Sequence, residues 1–210
     1  MGYASRTGTR RNLDALRARG WRLLVSAAGV HRTEGFPYAL DNGAWTAHQQ
    51  GKALDEEAFA RLLDKLGGGA DWTVVPDLVG GGLDSLAYSL TWLDRVLAAC
   101  PVVLLAVQNG MQPHHVAHLL GPTVGVFIGG DTAWKLATLP TWCALGNERG
   151  CIVHVGRVNS AKRIAMCAYY GATSFDGSNP SRYAVLDGPR RGCLAGLDNA
   201  RRQLALGLER

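Results

Sequence analysis

The chain predicts a compact (β/α)8 barrel, complete or one strand short, on three observations. Short apolar runs of strand character alternate with segments of helical period, and that alternation implies right-handed βαβ units around a parallel sheet. Several of these strands end on a polar residue followed by Gly, Asn or Ser, which gathers chemistry at one lip of the sheet. The 210 residues suffice for one sizeable core and are few for two, so residues 1–210 read as a single domain. An open doubly wound sheet is the competing architecture.

The elements follow in order. Trp21-Arg-Leu-Leu-Val-Ser26 is a short apolar run and predicts a buried strand. Pro37–Asp41 is the next, stopped by an Asn-Gly turn signal. Asp55–Leu66 has helical period, opens with acids that suit the helix dipole, and ends before three glycines. Trp72–Asp77 is a strand, and Gly80-Gly-Gly82 leads from it to a helix over Leu83–Ala99. Val102–Gln108 is apolar almost throughout, as a parallel strand covered on both faces must be. Pro113–Leu120 predicts a short helix, Val124–Gly130 a strand ending in paired glycines, and Thr132–Leu139 a helix broken at Pro140. Cys151–Val155 and Ala172–Asp176 are strands flanking a Ser160–Tyr170 helix. These make seven strands, with Tyr183–Leu186 as a candidate eighth and Leu194–Leu208 as a closing amphipathic helix.

Composition excludes several classes. With 47% apolar and 19% charged residues, the chain reads as an ordinary soluble protein. No apolar run of about eighteen residues predicts a membrane span, and Met1–Arg11 has no apolar core of a signal peptide. The expected compartment is the cytoplasm, of a host cell if the source is viral. The net charge of +5, carried mostly by arginine, suits a polyanionic partner, although genome base composition also raises arginine. Five scattered cysteines with no Cys-x-x-Cys pair argue against a disulfide framework and a structural zinc site.

In a barrel all strand C-termini open on one mouth. Collected there are Asp41, Asn42, Asp77, Gln108, Asn109, Gly129, Gly130, His154, Gly156, Arg157 and Asp176. This ring of carboxylate, amide and bare backbone lacks a His/Cys cluster suited to a transition metal. It suits the edge of a purine: carboxylates accept from ring and amino N–H groups, while Gln and backbone N–H donate to a carbonyl. Each aspartate taken singly is also a turn residue. His114 and His118 lie one helical turn apart with no carboxylate or cysteine close in sequence, which favours a solvated helix start over a metal site. His154, in an apolar strand, reads equally as a core histidine. Trp45 and Tyr38 flank Asp41 and either could stack on a base, although core packing explains both as well.

The ordered series Asp41-Asn-Gly-Ala, Pro76-Asp77, Val107-Gln108-Asn-Gly110, Phe127-Ile-Gly-Gly130, His154-Val-Gly156 and Ser174-Phe-Asp-Gly-Ser-Asn-Pro-Ser-Arg182 resembles the tRNA-guanine transglycosylase superfamily. It is most similar to the compact phage and bacterial branch that inserts 7-deazaguanines into DNA, and the Thr7-Gly-Thr-Arg-Arg-Asn12 opening fits that branch. The resemblance runs from about Thr7 to Arg182 and implies a TIM-like barrel. It implies Asp176 as nucleophile, Asp41 as general acid and base, and Asp77 on the purine N–H edge. Gln108, Gly129 and Gly130 then meet the base carbonyl, with Asn42 and His154 beside the substrate. Arg10, Arg11, Arg157 and Arg182 are the candidates for DNA phosphates. Two departures stand out. The family often has Cys after the nucleophile where this chain has Gly177, and the closely spaced zinc cysteines of the tRNA enzymes are absent from the sequence. The second departure favours DNA over tRNA.

The implied reaction is base exchange at C1′ through a covalent glycosyl-aspartate, with no cofactor and no metal. Its partners are DNA at guanine sites, flipped out or single-stranded, and a free 7-deazaguanine such as the 7-cyano form. A homodimer is an expectation carried over from the tRNA enzymes. The rival readings are the same exchange on tRNA, an N-glycosidic hydrolase using the same carboxylates, and a non-catalytic base-binding module.

Overall fold

A computed structural model describes residues 1–5 and 9–183. The chain runs β1 (Gly2–Ser5), α1 (Arg10–Ala18), β2 (Arg22–Ser26), β3 (Tyr38–Asp41), α2 (Ala44–Gln49), α3 (Glu56–Leu66) and β4 (Thr73–Val74). It continues through α4 (Gly82–Ala99), β5 (Val103–Val107), α5 (Pro113–Val116), β6 (Val124–Ile128) and α6 (Thr132–Arg149). It closes with β7 (Val153–Val155), α7 (Ala161–Tyr169), β8 (Ser174–Gly177) and α8 (Asn179–Tyr183). Among the described residues the eight strands are parallel, pair in chain order and close β8 onto β1. The fold is therefore a (β/α)8 barrel, and the open sheet is excluded.

Strand alternation divides the core in two. Tyr3, Ala39, Trp72, Val74, Leu104 and Ala106 point inward and fill the barrel, with Leu24, Phe127 and Ile152 against them. The outward residues of the same strands, such as Leu23, Leu40, Val103, Val126 and Val153, pack under the helices. The inward set sets the site. Asp41 is two residues beyond Ala39 and Asp176 two beyond Ser174, so both carboxylates emerge at the top of the barrel interior.

Two expectations are corrected. The eighth strand is β1, not Tyr183–Leu186: Tyr183 closes α8, and residues 184–186 lie outside the described residues, as does the expected 194–208 helix. Gly2–Ser5 carries no apolar run, and β1 forms because Tyr3 is swallowed by the barrel interior while Phe175 N–H donates to the Met1 carbonyl. The helix over Thr132 does not break at Pro140 but runs on to Arg149. Burial of Leu139, Trp142, Cys143 and Leu145 along that helix offsets the missing proline N–H. Short helices α1 and α2 also join elements that sequence reasoning left unassigned. No described helix is long and apolar enough to cross a membrane.

Gly125 tests how closely the interior is packed. A Cβ there would lie 2.4 Å from the Ile152 carbonyl oxygen and 2.7 Å from Leu104 Cδ2. Gly125→Ala is expected to lower stability by about 1–3 kcal/mol, seen as a lower urea midpoint with unchanged slope.

Candidate active site

The C-terminal strand ends surround a cavity of about 1040 Å³, at the upper end of small-molecule sites and roomy enough for a nucleotide unit. Asp41, Asp77 and Asp176 all line it, together with Gln108, Gly129 and Gly130. The structure thus brings the three predicted aspartates into one space.

Each carboxylate has its own supports. Asp41 ends β3, accepts from the Gly43 N–H at 3.2 Å and is hydrogen-bonded by Ser26. Burial, opposed by those bonds and aided by the nearby Asp176 charge, pushes its pKa up to about 6. Asp77 follows β4 and takes 2.7 Å and 3.0 Å bonds from Asn42 Nδ2 and Gln108 Nε2. Burial is again the main cause that lifts its pKa to about 6. Asp176, on β8 and 7% exposed, accepts on Oδ1 from His154 Nε2 and from the Arg157 backbone N–H, each at 3.1 Å.

Several expected substrate contacts are assigned to other work. Asn42 spends its amide hydrogens on Asp77 and the Val75 carbonyl, and its oxygen on the Ala44 N–H. Gln108 gives its NH2 to Asp77, the Leu78 carbonyl and Ser85, and accepts from the Gly80 N–H at 2.6 Å. Both are positioning groups for Asp77 and for the Leu78–Gly80 loop in this arrangement. The Gly129 N–H is closed on the Val107 carbonyl. His154 is fully buried below the cavity, stacked 5.0 Å from the Phe127 ring, and does not reach the cavity surface. Burial holds its pKa below the ordinary histidine range against the opposing pull of Asp176, so the ring is neutral.

The arginines also separate. Arg10 and Arg11 are exposed on the first turn of α1, which follows β1 and therefore sits on the mouth side. Arg157 is half-buried and lines the cavity. Its guanidinium stacks 3.8 Å over the Trp45 ring and donates to the Gly130 carbonyl. Trp45 follows β3 and Arg157 follows β7, on opposite sides of the barrel, so the stack spans the mouth. Arg182 lies in α8, and its side chain is outside the description. Gly177 has a local reason. A Cβ there would stand 2.5 Å from the Val158 carbonyl oxygen and 2.8 Å from Asn159 Oδ1, so the 156–159 loop fills the space of a cysteine side chain.

No protein-family model matches the chain, and no curated protein does. Among solved structures it is similar to RipC from Yersinia pestis, with a TM-score of 0.56 and 13% identity. The alignment covers 95% of this chain and 93% of that one. At that identity the likeness speaks for the barrel alone.

Sequence reasoning missed Ser26, Ser85, Ser174 and Lys135. The three serines have a signal, as small hydroxyls one strand or one turn from a site carboxylate. Lys135 has none: on a helix it reads as solvated, yet it is 6% exposed, and its ammonium donates to the Gly156 carbonyl.

The raised Asp41 and Asp77 pKa values fix a sign. Folding prefers the protonated forms, so stability from these groups is present at about pH 4 and is lost as pH rises through about 6. Asp41→Asn is expected to stabilise the fold at pH 8 by roughly 1–2 kcal/mol, with the gain vanishing near pH 4 in urea melts across pH.

Proposed function

We propose that this chain is a base-exchange transglycosylase that replaces guanine in DNA with a 7-deazaguanine. One observation carries the reading: three carboxylates with different supports line a single nucleotide-sized cavity at the barrel mouth. Asp176 lines the cavity and is held through Oδ1, which leaves Oδ2 free of described donors, as a nucleophile requires. Asp41, with a pKa near 6, exchanges protons at neutral pH. Asp77 has lone pairs left after its bonds from Asn42 and Gln108, enough for two N–H groups of a purine edge.

In the first displacement an Asp176 oxygen bonds to C1′ and the C1′–N9 bond breaks. Its electron pair leaves with guanine, which takes a proton from Asp41. In the second, the N9–H of the incoming 7-deazaguanine returns a proton to Asp41, and N9 displaces the Asp176 oxygen from C1′. Two inversions retain the sugar configuration. The Gly130 N–H is the backbone donor left for the base carbonyl. Trp45 offers a stacking face once Arg157 moves off it. Arg10 and Arg11 stand where flanking phosphates would pass.

The test incubates the protein with guanine-containing DNA and, separately, with tRNA, each with 7-cyano-7-deazaguanine, followed by nucleoside analysis and intact-mass measurement. A deazaguanosine in DNA is expected, together with a glycosyl adduct on the protein. Asp176→Ala abolishes both, and Asp41→Asn slows exchange by about 10²–10⁴-fold. Incorporation into tRNA alone moves the polymer, and free guanine without incorporation makes the protein a hydrolase.

A further inference from the structure

Asp176 Oδ1 receives two donors, and each donor is itself held from behind. His154 gives Nε2–H to Oδ1, while its Nδ1 faces Ser174 Oγ at 2.8 Å. With a neutral ring, that pairing fixes the tautomer: Ser174 donates to Nδ1, and the ring proton stays on Nε2. The ring cannot swing away, because Phe127 stacks on it and Trp72 and Tyr3 lie 4.4 Å and 5.8 Å off, centroid to centroid.

The second donor is the N–H of the peptide joining Gly156 to Arg157. The carbonyl of that same peptide accepts from Lys135 Nζ. An ammonium on the oxygen of an amide draws electron density from its nitrogen and makes the N–H a stronger donor. Lys135 therefore reaches the nucleophile through one polarised peptide group. Gly156 has to be bare for this to happen, since a Cβ would lie 2.6 Å from Phe127 Cζ. Among the described residues no hydrogen bond reaches Oδ2.

We propose that Lys135 and His154 are positioning residues that anchor Asp176 through Oδ1, so that Oδ2 is the oxygen that bonds to C1′. This rests on the transglycosylase reading for its chemistry. As the new Oδ2–C1′ bond forms and the C1′–N9 pair departs with the base, the residual charge on the ester carbonyl oxygen stays on Oδ1. There the two donors already stand. The same bonds favour release of the carboxylate in the second displacement.

The test has two arms. In the kinetic arm, His154→Phe and Lys135→Met are expected to lower kcat by about 10- to 100-fold, the range for losing a hydrogen bond to a charged group. KM for the DNA and the free base should stay within about threefold, since neither residue touches substrate. His154→Gln and Lys135→Arg, which restore a donor, should recover most of the rate. Equal losses in the donor-bearing and donor-less variants, or a change confined to KM, would overturn the proposal. The second arm needs no activity: ¹⁵N-histidine NMR of the wild type and of Asp176→Ala. A neutral His154 protonated on Nε2, whose signal moves in Asp176→Ala, upholds the anchoring. An Nδ1–H tautomer or an unmoved signal overturns it. If no polymer exchanges a base, the functional reading fails, and the NMR arm alone decides whether Oδ1 is held this way.

Discussion

Hydrogen bonds to carboxylate oxygens are what allow three aspartates to share one barrel mouth. Ionised side by side in a partly dry cavity, they would repel one another strongly. Asn42 and Gln108 spread the charge of Asp77, Ser26 and Gly43 that of Asp41, and His154 and the 156–157 peptide that of Asp176. The supports come from neighbouring strands or from the loops just beyond them, so the barrel's closure and the site's electrostatics are one problem. Where burial outweighs the supports, the carboxylate keeps its proton to higher pH, as at Asp41 and Asp77.

The division of labour around Asp77 changes how the polar ring is understood. Read as a list of strand-end residues, Asn42 and Gln108 are contacts for a ligand. In three dimensions their amides are saturated by protein groups. Gln108 also ties the Leu78–Gly80 loop to the cavity wall through the Gly80 N–H. A ligand that needed the Gln108 amide would first have to lift that loop away.

Much of the barrel was legible because β5 and β6 are apolar enough to announce themselves and because the strand-end aspartates carry loud turn signals. The aspartate positions followed from period-two alternation once a strand's end was known. What stayed hidden depends on tertiary context. β1 buries Tyr3 inside the barrel and only the small Ala4 under the helices, and a four-residue strand without an apolar run looks like a tail. Pro140 promises a helix break that a buried face overrules. Lys135 looks like any helical lysine until the 156–157 peptide comes to lie against it. His154 was visible as a polar residue in an apolar strand, but only the packing of Phe127 and Trp72 shows that it works from beneath the cavity.

β8 is the strand that carries Asp176, and it is also the seam where the ring of strands joins itself. Tyr3 pairs in register with Asp176, Ser181 donates to the Ser5 carbonyl, and Asn12 reaches the Ser181 carbonyl. These contacts join segments at far ends of the chain, so they carry the largest loop-closure entropy of any in the barrel. A folding intermediate with β2 to β7 already paired would hold Asp41, Asp77, Gln108 and His154 in place yet lack Asp176 between them. The complete set of three carboxylates and barrel closure would then arrive in the same step, and under the proposed chemistry partly folded chains would be unable to form a covalent bond to a sugar.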